Sequence, residues 1–165
     1  MIDPMVRIIG QPTIHDSARI DAFCVITNNV IIESLVHVAT GVRLIGSSGR
    51  IHLGVGSFVS MGSTILTGSD NYSTGHLISP VFPNDLRNIH SGDVTLEAFS
   101  GIGAHTLILP GVTIGWGATV GACSLVTKNI PSGEVWAGIP ARKVKDRDLV
   151  RLKQTIAEYE RRIQQ

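Results

Sequence analysis

The chain has 165 residues, enough for one domain and one core but too few for two. Fourteen basic against thirteen acidic side chains leave it almost neutral, and no nucleic-acid motif appears, which excludes a strong electrostatic nucleic-acid binder. No stretch approaches about 18 uninterrupted apolar residues, and the opening "MIDPMVRIIG" lacks a long apolar run. These features lead to the expectation of a soluble cytoplasmic protein with no membrane insertion. Cys24 and Cys123 are too few and too far apart for a disulfide framework or a metal knuckle.

From Ile14 the sequence repeats. Bulky aliphatics fall at Ile14, Ile20, Ile26, Ile32, Val38 and Leu44, again at Leu53, Val59 and Ile65, and after an interruption at Leu96, Ile102, Ile108, Ile114, Val120 and Val126. Four residues after each stands a mostly small or β-branched residue: Ala18, Cys24, Val30, Val36, Val42 and Ser48, then Ser57 and Ser63, then Ser100, Thr106, Val112, Ala118 and Ser124. A period of six fits neither a helix nor an extended strand, so the chain must turn at every sixth residue. The physical solution is an all-β solenoid of short parallel strands, with large aliphatics stacked inside and small residues filling the corners. Five coils of three hexads give a prism roughly 24 Å tall at about 4.8 Å per strand.

The interruption, 66–93, is a long excursion for a chain that otherwise turns every six residues, and excursions of this kind are usually functional. Tyr72, Pro80, Phe82, Pro83 and Leu86 make it too apolar and too stiff for a disordered linker. An arm is expected there. It carries His76 and His90, and histidine suits a general base because its unperturbed pKa lies near neutrality.

After the arm come the hexads "IGAHTL", "ILPGVT", "IGWGAT" and "VGACSL", then "VTKNIP" and "SGEVWAGIPARKVKDR". This run resembles the hexapeptide-repeat acyltransferases, and the likeness extends roughly from Ile14 to Arg147. The resemblance implies a left-handed parallel β-helix assembled as a homotrimer, with acetyl-CoA as acyl donor and an arm covering the crevice between subunits. It is closest to the sugar acetyltransferases of surface-polysaccharide assembly, such as those of lipopolysaccharide, O-antigen or capsule. It places His76, in "STGHLISP", at the position of the family's catalytic histidine. The proline that usually follows that histidine is absent. His90 in "NIHSGD" is the second candidate, and Asp70 is a candidate to orient a histidine. Asn71, Tyr72, Phe82, Asn84 and Arg87 are the expected substrate-facing residues of the arm.

For the donor, the resemblance implies small residues at Ala104 of "GIGAH" and Ala122 of "VGACS". Thr127 and Lys128 of "VTKN" are expected near the nucleotide, with Arg142, Lys143 and Lys145 of "GIPARKVK" reaching phosphates. This stretch opens the chain's one concentrated basic cluster, eight of the fourteen basic residues falling in the last 24 positions. The same fold also carries zinc enzymes of the γ-carbonic-anhydrase type, which need two histidines five residues apart. No two of His15, His37, His52, His76, His90 and His105 have that spacing, so no metal is expected. His15, His37 and His52 stand beside inward aliphatics and so face solvent or a neighbouring subunit. His105 is expected at the surface or an interface.

The hexads end after Pro140. From Asp148, apolar residues at Leu149, Leu152, Ile156, Tyr159 and Ile163 follow helical spacing. The expected organisation is therefore a β-helix domain over 1–145 and a helix over 146–165, which packs on the prism or meets its copies about a threefold axis. The function expected is acetyl-CoA-dependent O-acetylation of a sugar with a histidine base. Two alternatives stand beside it: N-acetylation of a nucleotide-linked amino sugar, and a non-catalytic scaffold, which would bind no CoA.

Overall fold

A computed structural model describes residues 1–163 as a parallel β-helix followed by one helix, α1 (Leu149–Ile163). Each turn of chain lays one short strand on each of three sheets in a fixed order. The first face stacks Arg7–Ile8, Val25–Ile26, Arg43–Ile45, Thr64–Leu66, Leu107–Ile108 and Leu125–Val126. The second stacks Thr13–Ile14, Val30–Ile32, Ile51–Leu53, Val94–Leu96 and Thr113–Ile114. The third stacks Arg19–Ile20, His37–Val38, Phe58–Val59, Gly101–Ile102, Thr119–Val120 and Glu134–Gly138, and Ala141–Asp146 closes it antiparallel. Seven strands on this face exceed the five coils expected. A bridge from Ile2 to Ile20, the Arg7–Ile8 strand and the terminal hairpin all extend the prism.

The hexad ladder becomes three internal columns. Ile20, Val38, Val59, Ile102 and Val120 stack behind the third face, Ile26, Leu44, Ile65, Ile108 and Val126 behind the first, and Ile32, Leu53, Leu96 and Ile114 behind the second. All are buried, and each fully buried side chain of this size contributes about 1.5–3 kcal/mol. Ile130 and Trp136 continue two columns beyond the expected ladder, while Ile14, on the lowest coil, is only half-buried.

The third residue after most ladder positions turns the corner in the left-handed backbone region. Phe23, Asn29, Leu35, Phe99, His105 and Cys123 do so with φ between 54° and 63°. A non-glycine residue there costs about 1–2 kcal/mol, which the buried fourth residue helps to offset. At Gly62 (φ +67°) the backbone itself strains any L side chain, and a Cβ would lie 2.5 Å from the His105 ring, which would have to move. The fourth residues are buried as expected except Ser48, which is exposed. It falls in a corner, 46–50, where the ladder step from Leu44 to Leu53 is nine residues instead of six.

Helix α1 packs with its first turns on the corner between the second and third faces. Leu149 lies over Gly133, where a Cβ would come within 2.5 Å of Leu149 Cδ1, and Leu152 lies over Gly117. Arg147 donates to the carbonyls of Phe99 (3.1 Å) and Gly117 (2.8 Å), and the Lys153 ammonium stands 5.9 Å from the Trp116 ring centre. Tyr159 and Ile163 remain exposed. No helix among the described residues is long and apolar enough to cross a membrane.

Candidate active site

The arm leaves the first face after Thr64–Leu66 and returns at Val94, so it replaces one corner between the first and second faces. Its legs, Gly68–Asp70 and Ile89–Ser91, pair antiparallel with Asp70 opposite Ile89. A bidentate ion pair closes the hairpin: Arg87 Nε donates to Asp70 Oδ1 at 3.1 Å and its Nη2 to Oδ2 at 3.1 Å. Both side chains are nearly buried, at 10% and 13% exposure. Ser79 N–H donates to Asp70 Oδ2, and Arg87 Nη1 donates to Asn84 Oδ1. Asp70 thus fixes the arm, and its carboxylate bonds to Ser79 and Arg87 and to no histidine. Asp70 and Arg87 are 17 residues apart in the chain, and no local spacing pairs them. Only the hairpin register makes them neighbours.

His76 stands exposed near the head of the arm, with Nδ1 3.2 Å from the Thr74 carbonyl oxygen and 3.0 Å from Thr74 Oγ1. When Nδ1–H donates to the Thr74 carbonyl, Nε2 is left as the acceptor a general base needs, and the Thr74 hydroxyl can pair with either tautomer. His90 projects from the returning leg opposite Ser69 and is also exposed. Asn71 Oδ1 accepts from Ser73 N–H and Oγ–H, forming the turn that precedes His76. Tyr72 and Phe82 are exposed at 76% and 41%.

The expected donor-binding residues divide between the two edges of the first face. Ala104 and Ala122 stack on the edge shared with the third face, where Cys123 N–H donates to the Ala104 carbonyl. The turn between Gly138 and Ala141 sits above them, tied down by Gly138 N–H to Ser124 Oγ, and Arg142 follows it with Nη1 bonded to the Ala141 carbonyl. Thr127 and Lys128 lie on the opposite edge, on the corner that the arm occupies two coils lower, and both are exposed. Lys145 is exposed on the last strand. Lys143 is engaged within the chain, by Glu134 Oε1 at 2.8 Å and Asp146 Oδ1 at 2.7 Å. Hydrogen bonds to Asp146 and then Glu134 raise the Lys143 pKa, and the Lys143 and Trp136 hydrogen bonds lower that of Glu134.

Elsewhere, His37 Nε2 meets Asp21 Oδ2 at 2.8 Å and His52 Nε2 meets Glu33 Oε1 at 2.6 Å, while His15 Nδ1 meets Ser17 Oγ. His105 is an exposed corner residue above Gly62. Among the described residues no three His, Cys, Asp or Glu side chains converge on a point that would hold a metal.

No protein-family model matches the chain. It is 31% identical over 138 residues to dTDP-4-amino-4,6-dideoxy-D-glucose acyltransferase of Escherichia coli, spanning 82% of this chain and 71% of that protein. It is 32% identical over 147 residues to galactoside O-acetyltransferase of Escherichia coli strain K12, spanning 78% and 68%. Its fold superposes on AntD, an N-acyltransferase from Bacillus cereus solved with dTDP and 3-hydroxybutyryl-CoA, with a TM-score of 0.90 at 31% identity. That match covers 97% of this chain and 87% of the other.

Proposed function

The chain belongs to the hexapeptide-repeat acyltransferases, and from that premise we propose that it transfers an acetyl group from CoA to the amino group of a nucleotide-linked sugar. The observation that supports nitrogen is the likeness to the dTDP-amino-sugar acyltransferase and to AntD, and His76, beside Thr74 on an arm next to the coils, is the candidate base. In the proposed step the acceptor nitrogen attacks the thioester carbon while Nε2 takes its proton. The C–S bond then breaks, and the imidazolium returns the proton to the leaving CoA thiolate. O-acetylation, expected first from the sequence, is the second reading. The galactoside relative favours it, and a hydroxyl needs a base more strictly than a partly deprotonated amine.

The division of residues between two edges supports a homotrimer. The arm and Lys128 lie on one edge of the first face and Ala104 and Ala122 on the other, so one chain does not bring them together. Packing three prisms sets the arm edge of one copy against the small-residue edge of the next. The exposed Tyr72, Val81 and Phe82 of the arm supply apolar surface for such a contact. The same reading keeps the protein in the cytoplasm, with its acyl-CoA supply.

The first test is calorimetric titration with acetyl-CoA at two salt concentrations, followed by thiol release with dTDP-4-amino-4,6-dideoxy-D-glucose. Saturable, salt-weakened binding at one site per chain, with turnover, supports the proposal. Turnover with galactosides alone moves the reading to oxygen. No CoA binding at millimolar ligand overturns both readings and leaves the scaffold.

A further inference from the structure

The long corner 46–50 is bonded to both ends of the arm. Ser48 N–H and Gly49 N–H donate to Thr67 Oγ1 where the arm departs, and Arg50 N–H donates to Asp93 Oδ1 where it returns. The approach is close enough that a Cβ on Gly68 would lie 2.5 Å from Ser48 Oγ. Three residues that the repeat does not need are thus used to bracket the arm.

Between bracket and arm lies an open cavity of about 380 Å³, within the range of small-ligand sites. Its polar wall is made of Ser47, Ser48, Ser69, Asn84 and the Asp70–Arg87 pair, and Pro80 and Ile89 add apolar surface. The pair carries no net charge and no other cationic side chain lines the cavity, which disfavours a phosphate against a neutral ligand. It is instead rich in groups that donate and accept at once: three hydroxyls and an amide. Arg87 has five N–H donors, and its contacts to Asp70 and Asn84 leave donors to spare. A neutral cavity with paired donors and acceptors beside an apolar patch matches a pyranose ring, whose hydroxyls project from a C–H face.

We infer that this cavity holds the sugar ring of the acceptor, with Arg87 and the two serines of the corner deciding which sugar is accepted. That the sugar is an acceptor rests on the proposed transferase function. That a sugar binds here does not. Asp70 and Arg87 set the rigid wall, and their position on the arm that carries His76 links ring orientation to the base.

The test compares three ligands by calorimetry on the full chain: the nucleotide-linked amino sugar, its nucleotide alone, and acetyl-CoA. Ser47 is exposed and its side chain has no hydrogen bond, so Ser47→Trp fills the cavity without disturbing the bracket. It should weaken the nucleotide-linked sugar about tenfold or more and leave the other two within about twofold. Arg87→Lys keeps the charge but loses the fork, and should raise KM for the sugar about tenfold with acetyl-CoA affinity within about twofold of wild type. Unchanged sugar binding in Ser47→Trp, or equal weakening of all three ligands, overturns the inference. So does a wild type that binds neither the nucleotide-linked sugar nor a methyl hexoside at high millimolar concentration. Wild-type protein that binds the sugar but releases no thiol from acetyl-CoA sinks the transferase reading alone.

Discussion

The coils and the arm are built from the same chain on different terms. In the coils each ladder residue from Ile20 to Ile65 is 0–1% exposed, and its neighbours in the stack are about one turn of chain away. Between 68 and 93 no residue is buried, and Tyr72 and Val81 are exposed at 76% and 82%. The coils therefore stabilise themselves by stacking, rung upon rung. The arm has a two-stranded base, one nearly buried ion pair and a bracket, and it keeps its apolar side chains free for other surfaces. Stability sits in the regular part and chemistry in the irregular part, so the two should respond separately to mutation.

The largest expected effect tests the coil side of that contrast. Ile102→Ala should cost about 2–5 kcal/mol in denaturant unfolding, because rigid rungs above and below cannot collapse into the void. Val81→Ser in the arm should cost the isolated chain less than about 0.5 kcal/mol; equal losses for both would break the contrast. On the arm side, His76→Ala should slow single-turnover acyl transfer about a hundredfold with the unfolding midpoint and acetyl-CoA affinity unchanged. If His90→Ala gives that result instead, the base moves to the returning leg. Replacing Lys128 and Lys145 together should weaken CoA about tenfold, with a smaller dependence on salt. Lys143→Ala should do less, since Glu134 and Asp146 already engage that ammonium.

Two smaller effects lie within the coils. Ser57 Oγ is buried without a hydrogen-bond partner, stacked between Val36 and Ser100. Ser57→Ala should therefore stabilise the protein by about 1 kcal/mol in thermal unfolding; destabilisation would mean that the hydroxyl has found a partner. Asp21 accepts hydrogen bonds from His37 and then Arg19, which hold its carboxyl below the usual carboxylate range. A lowered pKa favours the folded state above the unfolded value and loses that contribution as pH falls through the folded one. Asp21→Asn should then cost less than about 1 kcal/mol at neutral pH, and the difference from wild type should fade below about pH 4.

The six-residue spacing of Ile20, Ile26, Ile32 and their successors was enough to specify the prism, because each rung repeats one local problem: turn, bury an aliphatic, leave room at the corner. The same spacing marked the arm by its absence, and helical spacing from Leu149 marked α1. Ser48 was misplaced because a ladder counted in sixes runs straight through the longer step to Leu53. What the sequence left open shares one physical origin. The Asp70–Arg87 pair, the bonds from Ser48 and Arg50 to the ends of the arm, and the placing of Lys128 and Ala104 on opposite edges of one face all join residues far apart in the chain. Their pairing depends on hairpin register and on which corner each hexad occupies. A local repeat determines its own geometry, and only the folded chain decides which distant side chains share a wall.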